Sequence, residues 1–433
     1  MKPLWLILIP WAVASYAVAD DPEALKKRLK DLNGQKADHW IYNDISAGFS
    51  EAKRTGKPLF ITFRCVPCVD CLGFDGEVAD GNDAIKQLAS EEFVSVRQVE
   101  MKGVDLTQFQ FDYDLNWAGI FLNANGTIYA RYGTQSSEGS DAFNSAEGLL
   151  ATMKRVLQLH ENYPKNRHLF VGKKPPAKPW RTAKEIPTLH PNLRKEAQTS
   201  RTHCIHCHNL HDAENDLWVR DGIMSMDKLW RYPYPDNLGL HIQVRDGRTV
   251  DSVAADSAAA QAGITPGQLI DTVNGQAISS VADFQWVLHG LENQAGETIR
   301  IVFADSSKVT LTTKANWKRT DISWRGSLFS LSPKLRMWMP ALKENERLKY
   351  DLKSGTNGLV IKWINRKQPA GKAAINAGLK LGDIVLKADG KPVPVSDQKF
   401  HAWVKMNYQS AQTLRLTILR STNMLNIDLP LVE

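Results

Sequence analysis

Apolar and polar positions change period several times along the chain. Between residues 38 and 162, short apolar runs of strand length alternate with apolar positions at helical spacing, as in an α/β unit. The spacing predicts a helix from Ile45 to Thr55, an apolar strand from Pro58 to Phe63, a second helix ending near Ala89 and a strand from Phe93 to Met101. Gly119 to Leu122 and Thr127 to Tyr132 read as a hairpin turned at Asn125-Gly126, a dipeptide that tolerates positive φ. An amphipathic helix over 142–162 closes the unit.

Periodicity then stops. Residues 163–191 are rich in Pro and Lys (Lys173-Lys-Pro-Pro-Ala-Lys-Pro179) and read as an extended linker. Residues 192–237 are too few for a large domain of their own. Beyond them a pattern repeats at one constant offset. Ala262-Gly263, Gly267 and Asn274-Gly275 return as Ala377-Gly378, Gly382 and Asp389-Gly390. After one inserted residue, Ser280, Phe284, Val287 and Leu288 return as Ser396, Phe400, Trp403 and Val404. Each serine suits a helix N-cap and the apolar positions share one helical face, so 238–313 and 320–432 are two copies of one fold.

A length of 433 residues accommodates three or four domains with cores of their own. The net charge of +7 is spread along the chain, with no basic helix face and no nucleic-acid signature, which argues against a nucleic-acid partner. The start is distinctive: Lys2, an apolar run from Leu4 to Val18 broken by Pro10 and Ser15, and Ala17-Val-Ala19 before Asp20. This reads as a signal peptide over 1–19, too short to span a bilayer. The expectation is a periplasmic or otherwise exported, soluble protein with no stable membrane insertion after cleavage.

The five cysteines fall in two tight clusters, which in an exported chain signals chemistry more than stapling. Phe63-Arg-Cys-Val-Pro-Cys-Val-Asp-Cys71 offers two overlapping C-x-x-C frames. The stretch resembles the thioredoxin family, in particular an exported branch whose active site reads C-V-D-C. In that family the first active cysteine lies five residues past a strand-ending aromatic, and an acidic residue lies four beyond the second; Phe63 and Asp75 match. The resemblance implies Cys68 as nucleophile, Cys71 as resolving thiol, Cys65 as a third thiol and thiol–disulfide oxidoreductase activity. A strand leading into a helix supports that frame, because helix N-terminal N–H groups stabilise a thiolate at Cys68. Arg64 adds to this effect and Asp70 opposes it. One departure stands out: where the family has a cis-proline facing the disulfide, this chain has Trp117. Its absence favours a soft metal held by three thiolates, and a purely structural disulfide stays open.

His203-Cys-Ile-His-Cys-His208 contains C-x-x-C-H, the attachment signature of c-type haem. On a helix, positions i, i+3 and i+4 share a face, so Cys204 and Cys207 would form thioethers while His208 points at the iron. Met224 or Met226 is a candidate sixth ligand, with His190, His203 and His211 as alternatives. Zinc is the rival, since His203, His206 and His211 crowd the motif.

The repeat resembles PDZ domains in their bacterial, permuted form, in which a peptide C-terminus adds a strand beside the domain's own. The resemblance implies a carboxylate loop at Leu238-Gly239-Leu240-His241, a binding strand through Ile242 and a groove helix carrying Phe284, Val287 and Leu288. In the second copy Phe400, Trp403 and Val404 take the helix positions, with the loop expected near Ser327-Leu-Phe329. PDZ pairs also occur in exported serine proteases, but G-x-S-x-G is absent and no segment remains for a catalytic domain, so a serine protease is excluded. The whole order resembles a bacterial family of thioredoxin-like/PDZ (seleno)proteins, some of which carry selenocysteine at the thiol site.

The expected fold class is therefore multidomain α/β and β-rich: a thioredoxin-like fold over 38–162, a short helical haem-binding segment over 192–237 and two PDZ-like domains. The expected function is an exported thiol/haem redox protein directed to protein or peptide C-termini by its PDZ pair. The alternative is a periplasmic binding or sensor protein and PDZ adaptor, with a soft-metal thiolate site and haem.

Overall fold

The computed structural model describes residues 25, 26, 29, 39–64, 72–195 and 204–432. The expected signal peptide, all three cysteines of the first cluster and His203 lie outside them.

The first domain runs β1 (Trp40–Tyr42), α1 (Ile45–Thr55), β2 (Leu59–Arg64), α2 (Leu72–Gly76), α3 (Asp83–Glu91), β3 (Val94–Gln98), β4 (Trp117–Leu122), β5 (Ile128–Tyr132) and α4 (Ala146–Glu161). Its sheet has the order β1-β3-β2-β4-β5, with β1, β3 and β2 parallel and β4 and β5 antiparallel. Every residue of β2 is buried, which is why it reads as a continuous apolar run instead of an alternation. α1 spans the predicted residues; Asp44 caps it and Gly56 ends it in the left-handed region at φ 74°. The helix expected to end near Ala89 is broken. Asn82 Oδ1 accepts from the N–H groups of Ala84 and Ile85, both at 3.1 Å, so α3 starts afresh there.

Residues 163–191 do not behave as an extended linker. Phe170, Ala183, Ile186 and Leu189 are buried in the cores flanking the sheet, because this Pro- and Lys-rich stretch also carries apolar residues at the spacing of short 3₁₀ turns. Helix α5 (Cys207–Arg220) follows.

The first repeat holds β6 (Leu240–Ile242), β7 (Val250–Val253), α6 (Ala258–Gln261), β8 (Ile270–Val273), β9 (Gln276–Ala277), α7 (Val281–His289), β10 (Thr298–Phe303) and β11 (Lys308–Thr312). The second holds β12 (Met337–Trp338), α8 (Glu344–Lys349), β13 (Leu359–Val360), β14 (Trp363–Ile364), α9 (Pro369–Asn376), β15 (Ile384–Ala388), β16 (Lys391–Pro392), α10 (Asp397–Asn407), β17 (Thr413–Arg420) and β18 (Asn423–Pro430). The repeat signals have matching geometry. Ser280 and Ser396 cap α7 and α10, each accepting from the N–H three residues on. Asn274-Gly275 and Asp389-Gly390 both turn with positive φ, 47° and 75° against 45° and 75°.

The first repeat is fused to the first domain through α7. Asp283 Oδ1 accepts from the Arg131 N–H at 3.0 Å and pairs with Lys173 at 2.8 Å. The Arg131 guanidinium lies 3.4 Å from the Trp286 ring centroid, and Trp286 Nε1 donates to the Gly172 carbonyl at 2.9 Å. Among the described residues no helix is long and apolar enough to cross a membrane.

Candidate functional site

The first cysteine cluster lies between two described anchors, Arg64 at the end of β2 and Asp75 on α2. Both are buried, and they form an ion pair. Arg97 on β3 reaches the same carboxylate at 2.8 Å, and Trp117 Nε1 donates to its other oxygen at 3.0 Å. Burial alone would push the Asp75 carboxyl up; the Arg97 and Arg64 charges outweigh it and hold it below the usual carboxylate range. Trp117, at the position where the family has its proline, thus helps secure Asp75. The clamp joins the strand before the cysteines to the helix after them.

The second cluster is not arranged as expected. α5 begins at Cys207, with extended backbone at His206 (ψ 156°), so Cys204 precedes the helix instead of sharing a helical face with Cys207 and His208. Ile205 docks on the chain just past β3: its N–H donates to Glu100 Oε1 at 3.0 Å and its carbonyl accepts from the Met101 N–H at 3.2 Å. Cys204 and Cys207 are only 3% and 8% exposed. Neither is in a disulfide. Cys207 belongs to the apolar cluster that includes Ile186, Leu189 and Leu210, while the Cys204 thiol faces Glu100. Burial pushes the Glu100 carboxyl up, against the Ile205 N–H, Lys102 and the Cys204 thiol. His208 stacks parallel to His206 at 5.6 Å and lies beside Gly326. The donor set has the chemistry of a haem attachment site, with both sulfurs buried and the Ile205 backbone between them held by Glu100 and Met101. Met224 and Met226 pack partly buried against the cluster of Leu229, Ile322, Leu328 and Leu331, an ordinary core role.

A third constellation was not foreseen. Asp112 and Asp114, between β3 and β4, meet His211 of α5 within ligand distance of a common metal ion. Arg325, ahead of β12 in the second repeat, pairs instead with Asp112 at 2.7 Å and Asp114 at 3.2 Å. Ser327 donates its N–H and its hydroxyl to Asp114, each at 2.8 Å. Arg231 and Lys178 pair with Glu214 of α5. Three carboxylates (Asp112, Asp114, Glu214) therefore balance three cations (Arg325, Arg231, Lys178) around a buried imidazole. Burial, then Arg231, lowers the His211 pKa, so the ring is neutral and its Nδ1–H donates to Asp114 at 3.1 Å. Burial raises the Asp114 pKa, but the His211 bond, Arg325 and the Ser327 N–H prevail and keep it ionised. The site is an interdomain lock already filled by arginine. The only trace of it in the sequence is a set of charged residues spaced among apolar ones.

The expected peptide-binding residues are core residues here: Leu238, Leu240, Ile242, Phe284, Val287 and Leu288 all lie in one buried cluster with Trp317. Gly239 makes the expected loop turn at φ 78°. Residues 317–318 bridge the loop before β6 and the end of α7, with Asn237 Nδ2 donating to the Trp317 carbonyl at 3.0 Å and Lys318 Nζ to the His289 carbonyl at 3.0 Å. In the second repeat Ser327-Leu-Phe329 belongs to the interdomain lock and not to a carboxylate loop. The strand equivalent to β6 is β12, which pairs with β14 as β6 pairs with β7. Its outer edge is occupied: His401 Nε2 donates to the Met337 carbonyl at 3.1 Å, and Asp397 Oδ1 accepts from the Met339 N–H at 3.0 Å. Phe400 and Val404 are fully buried and Trp403 partly so.

Comparison with known proteins agrees with this architecture. A family model described as thioredoxin-like matches residues 40–124, and two PDZ-domain models match residues 249–302 and 345–431. The chain thus has a thioredoxin-like domain followed by two PDZ domains. No curated protein matches it. Among solved structures, "HtrA-type protease AlgW with decapeptide" is 17% identical, covers 38% of this chain and 49% of its own, and superposes with a TM-score of 0.21. "HtrA-type protease AlgW with tripeptide" is also 17% identical, covers 38% and 52%, and has a TM-score of 0.20. The chain spans about half the length of these structures, and a likeness at this level carries none of their activity to it.

Proposed function

We propose that the protein is an exported thiol–disulfide oxidoreductase whose PDZ pair brings it to protein partners. The clamp around the first cysteine segment carries this reading. A buried Asp75 held by Arg64, Arg97 and Trp117 fixes both ends of a Cys-x-x-Cys-bearing stretch at a strand end, at a cost in desolvation that a passive loop does not need. Cys68 is the nucleophile and Cys71 the resolving thiol. The insulin reduction assay tests this: the wild type accelerates precipitation with dithiothreitol, and Cys68→Ser is expected to lose at least tenfold of that rate. An inactive wild type that retains copper or zinc through dialysis supports the sensor reading instead, with Cys65, Cys68 and Cys71 as soft-metal ligands.

Peptide C-termini are the proposed PDZ ligands, and Trp317 packs against the apolar residues expected to line the first groove. Trp317→Ala is expected to raise the affinity for a fluorescent peptide with an apolar C-terminus at least tenfold, read by anisotropy. Unchanged affinity in a folded variant places the peptide elsewhere. The C-x-x-C-H order also supports a reading of Cys204, Cys207 and His208 as a covalent haem c site: after expression with haem-attachment machinery a reduced α-band should survive acid–acetone extraction, and a full complement of zinc with no Soret band would overturn it.

A further inference from the structure

We propose that the β12–β14 ribbon of the second PDZ domain is a lipid-facing surface, which holds the protein reversibly on a bilayer rich in anionic phospholipid through Trp338, Trp363 and the cations around them. The inference goes beyond the thiol-redox reading and does not depend on it.

Three observations carry it. The first is where alternation puts the two indoles. β12 and β14 are antiparallel, with Met337 opposite Ile364 and Trp338 opposite Trp363, and they form a two-stranded sheet of their own. Successive side chains of a strand point to opposite faces. Met337 and Ile364 are 4% and 7% exposed and belong to the core of the second repeat. The next positions therefore face outward, and Trp338 and Trp363 are 55% and 50% exposed. Residues directly opposite on one face stand about 5 Å apart at Cβ, so the two rings make one apolar strip.

The second observation is how these rings differ from the others. Trp117, Trp230, Trp286 and Trp317 each donate the indole N–H to a protein acceptor. Among the described residues, Trp338 and Trp363 are the two tryptophans left exposed, and neither side chain takes part in a hydrogen bond, ring contact or cation contact. The third is charge. Residues 334–338 and 362–367 contain no Asp or Glu, while Arg336, Lys362, Arg366 and Lys367 are all exposed. Asp397, at the edge of β12, already bonds the Met339 N–H at 3.0 Å and lies 3.3 Å from His401 Nε2.

An anionic bilayer surface is complementary to both features at once. Indoles collect where headgroups meet acyl chains, with the ring on the apolar side and the N–H on wet acceptors. Lysine and arginine are drawn to the negative headgroups over about a Debye length. An acidic protein would match the cations, but it would also need a pocket for each ring, and a ribbon without a third strand gives such a partner little to grip. The headgroup layer takes both rings at any lateral position. Two indoles and four cations give reversible adsorption, and no spanning segment is required.

The test uses the chain from Asp20 onward, the form expected after export, in vesicle flotation. Binding to vesicles of phosphatidylcholine and phosphatidylglycerol in equal parts is expected to be at least about tenfold tighter than to phosphatidylcholine alone, and to weaken as salt rises from about 0.05 M to about 0.5 M. Joint replacement Trp338→Ala and Trp363→Ala should weaken binding to the mixed vesicles at least about tenfold while leaving the unfolding midpoint in place, because neither ring belongs to a core. Glutamine at Arg336, Lys362, Arg366 and Lys367 together should abolish the preference for phosphatidylglycerol and the salt dependence. Brominated lipid should quench a part of the wild-type tryptophan emission that is missing from the double variant. A wild-type chain that does not float with the mixed vesicles overturns the proposal, as does binding that the tryptophan substitutions leave intact. Salt-sensitive binding to polyglutamate by a chain that ignores vesicles also overturns it and assigns the face to an acidic protein.

Discussion

Asparagine in place of Asp75 is expected to lower the stability of the first domain by about 3–5 kcal/mol, the usual cost of removing one partner of a buried ion pair. Arg64 and Arg97 are 3% and 0% exposed, so the substitution removes the carboxylate that both share from a buried site. The volume change is negligible, which separates the charge from a cavity effect. Urea unfolding followed by far-UV circular dichroism should show the midpoint fall by more than about 1 M. The pH dependence provides a check. The folded Asp75 pKa lies below its unfolded value, so its contribution is fully present above about pH 4 and is lost as pH falls through the folded pKa. The gap between wild type and Asp75→Asn should therefore narrow in acid. A gap that is small at pH 7, or that stays constant down to pH 2, means that the pair does not hold this segment.

Leucine in place of Arg325 is expected to cost a similar amount, about 3–5 kcal/mol, and to act on the assembly of domains as well as on one core. Arg325 bonds Asp112 and Asp114 of the first domain and donates to the Arg231 carbonyl at 2.6 Å. Removing it leaves two buried carboxylates facing each other beside a neutral His211. The expected signature is loss of a single thermal transition in favour of separated ones, together with faster proteolysis between the repeats. A double-mutant cycle with Asp114→Asn should show coupling of at least about 1 kcal/mol, since the two share one network. Additive effects would place Arg325 outside the lock.

Much of the architecture was readable from one sequence because local rules decide it. The limits of α1, the hairpin at Asn125-Gly126, the caps Ser280 and Ser396 and the paired turns of the two repeats depend on residues a few positions apart, where side-chain capping and positive φ act. The same locality explains why both cysteine motifs were visible at once. Tertiary packing decided the rest. The Pro- and Lys-rich stretch looked like a linker because its apolar residues are few and fit neither the strand nor the α-helix period, yet Phe170, Ile186 and Leu189 find a core supplied by distant strands. The capped helices α7 and α10 and their apolar faces were identifiable, but the contacts of Trp317, His401 and Asp397 with the rest of each domain were not, because they join residues far apart in the chain. The helical face assumed for Cys204, Cys207 and His208 gave way because docking of Ile205 on Glu100 and Met101 keeps the chain extended up to His206. Arg325 and Asp114, more than two hundred residues apart, carry no sequence pattern linking them; only the fold brings them to 3.2 Å, where burial turns two ordinary surface-type residues into a lock.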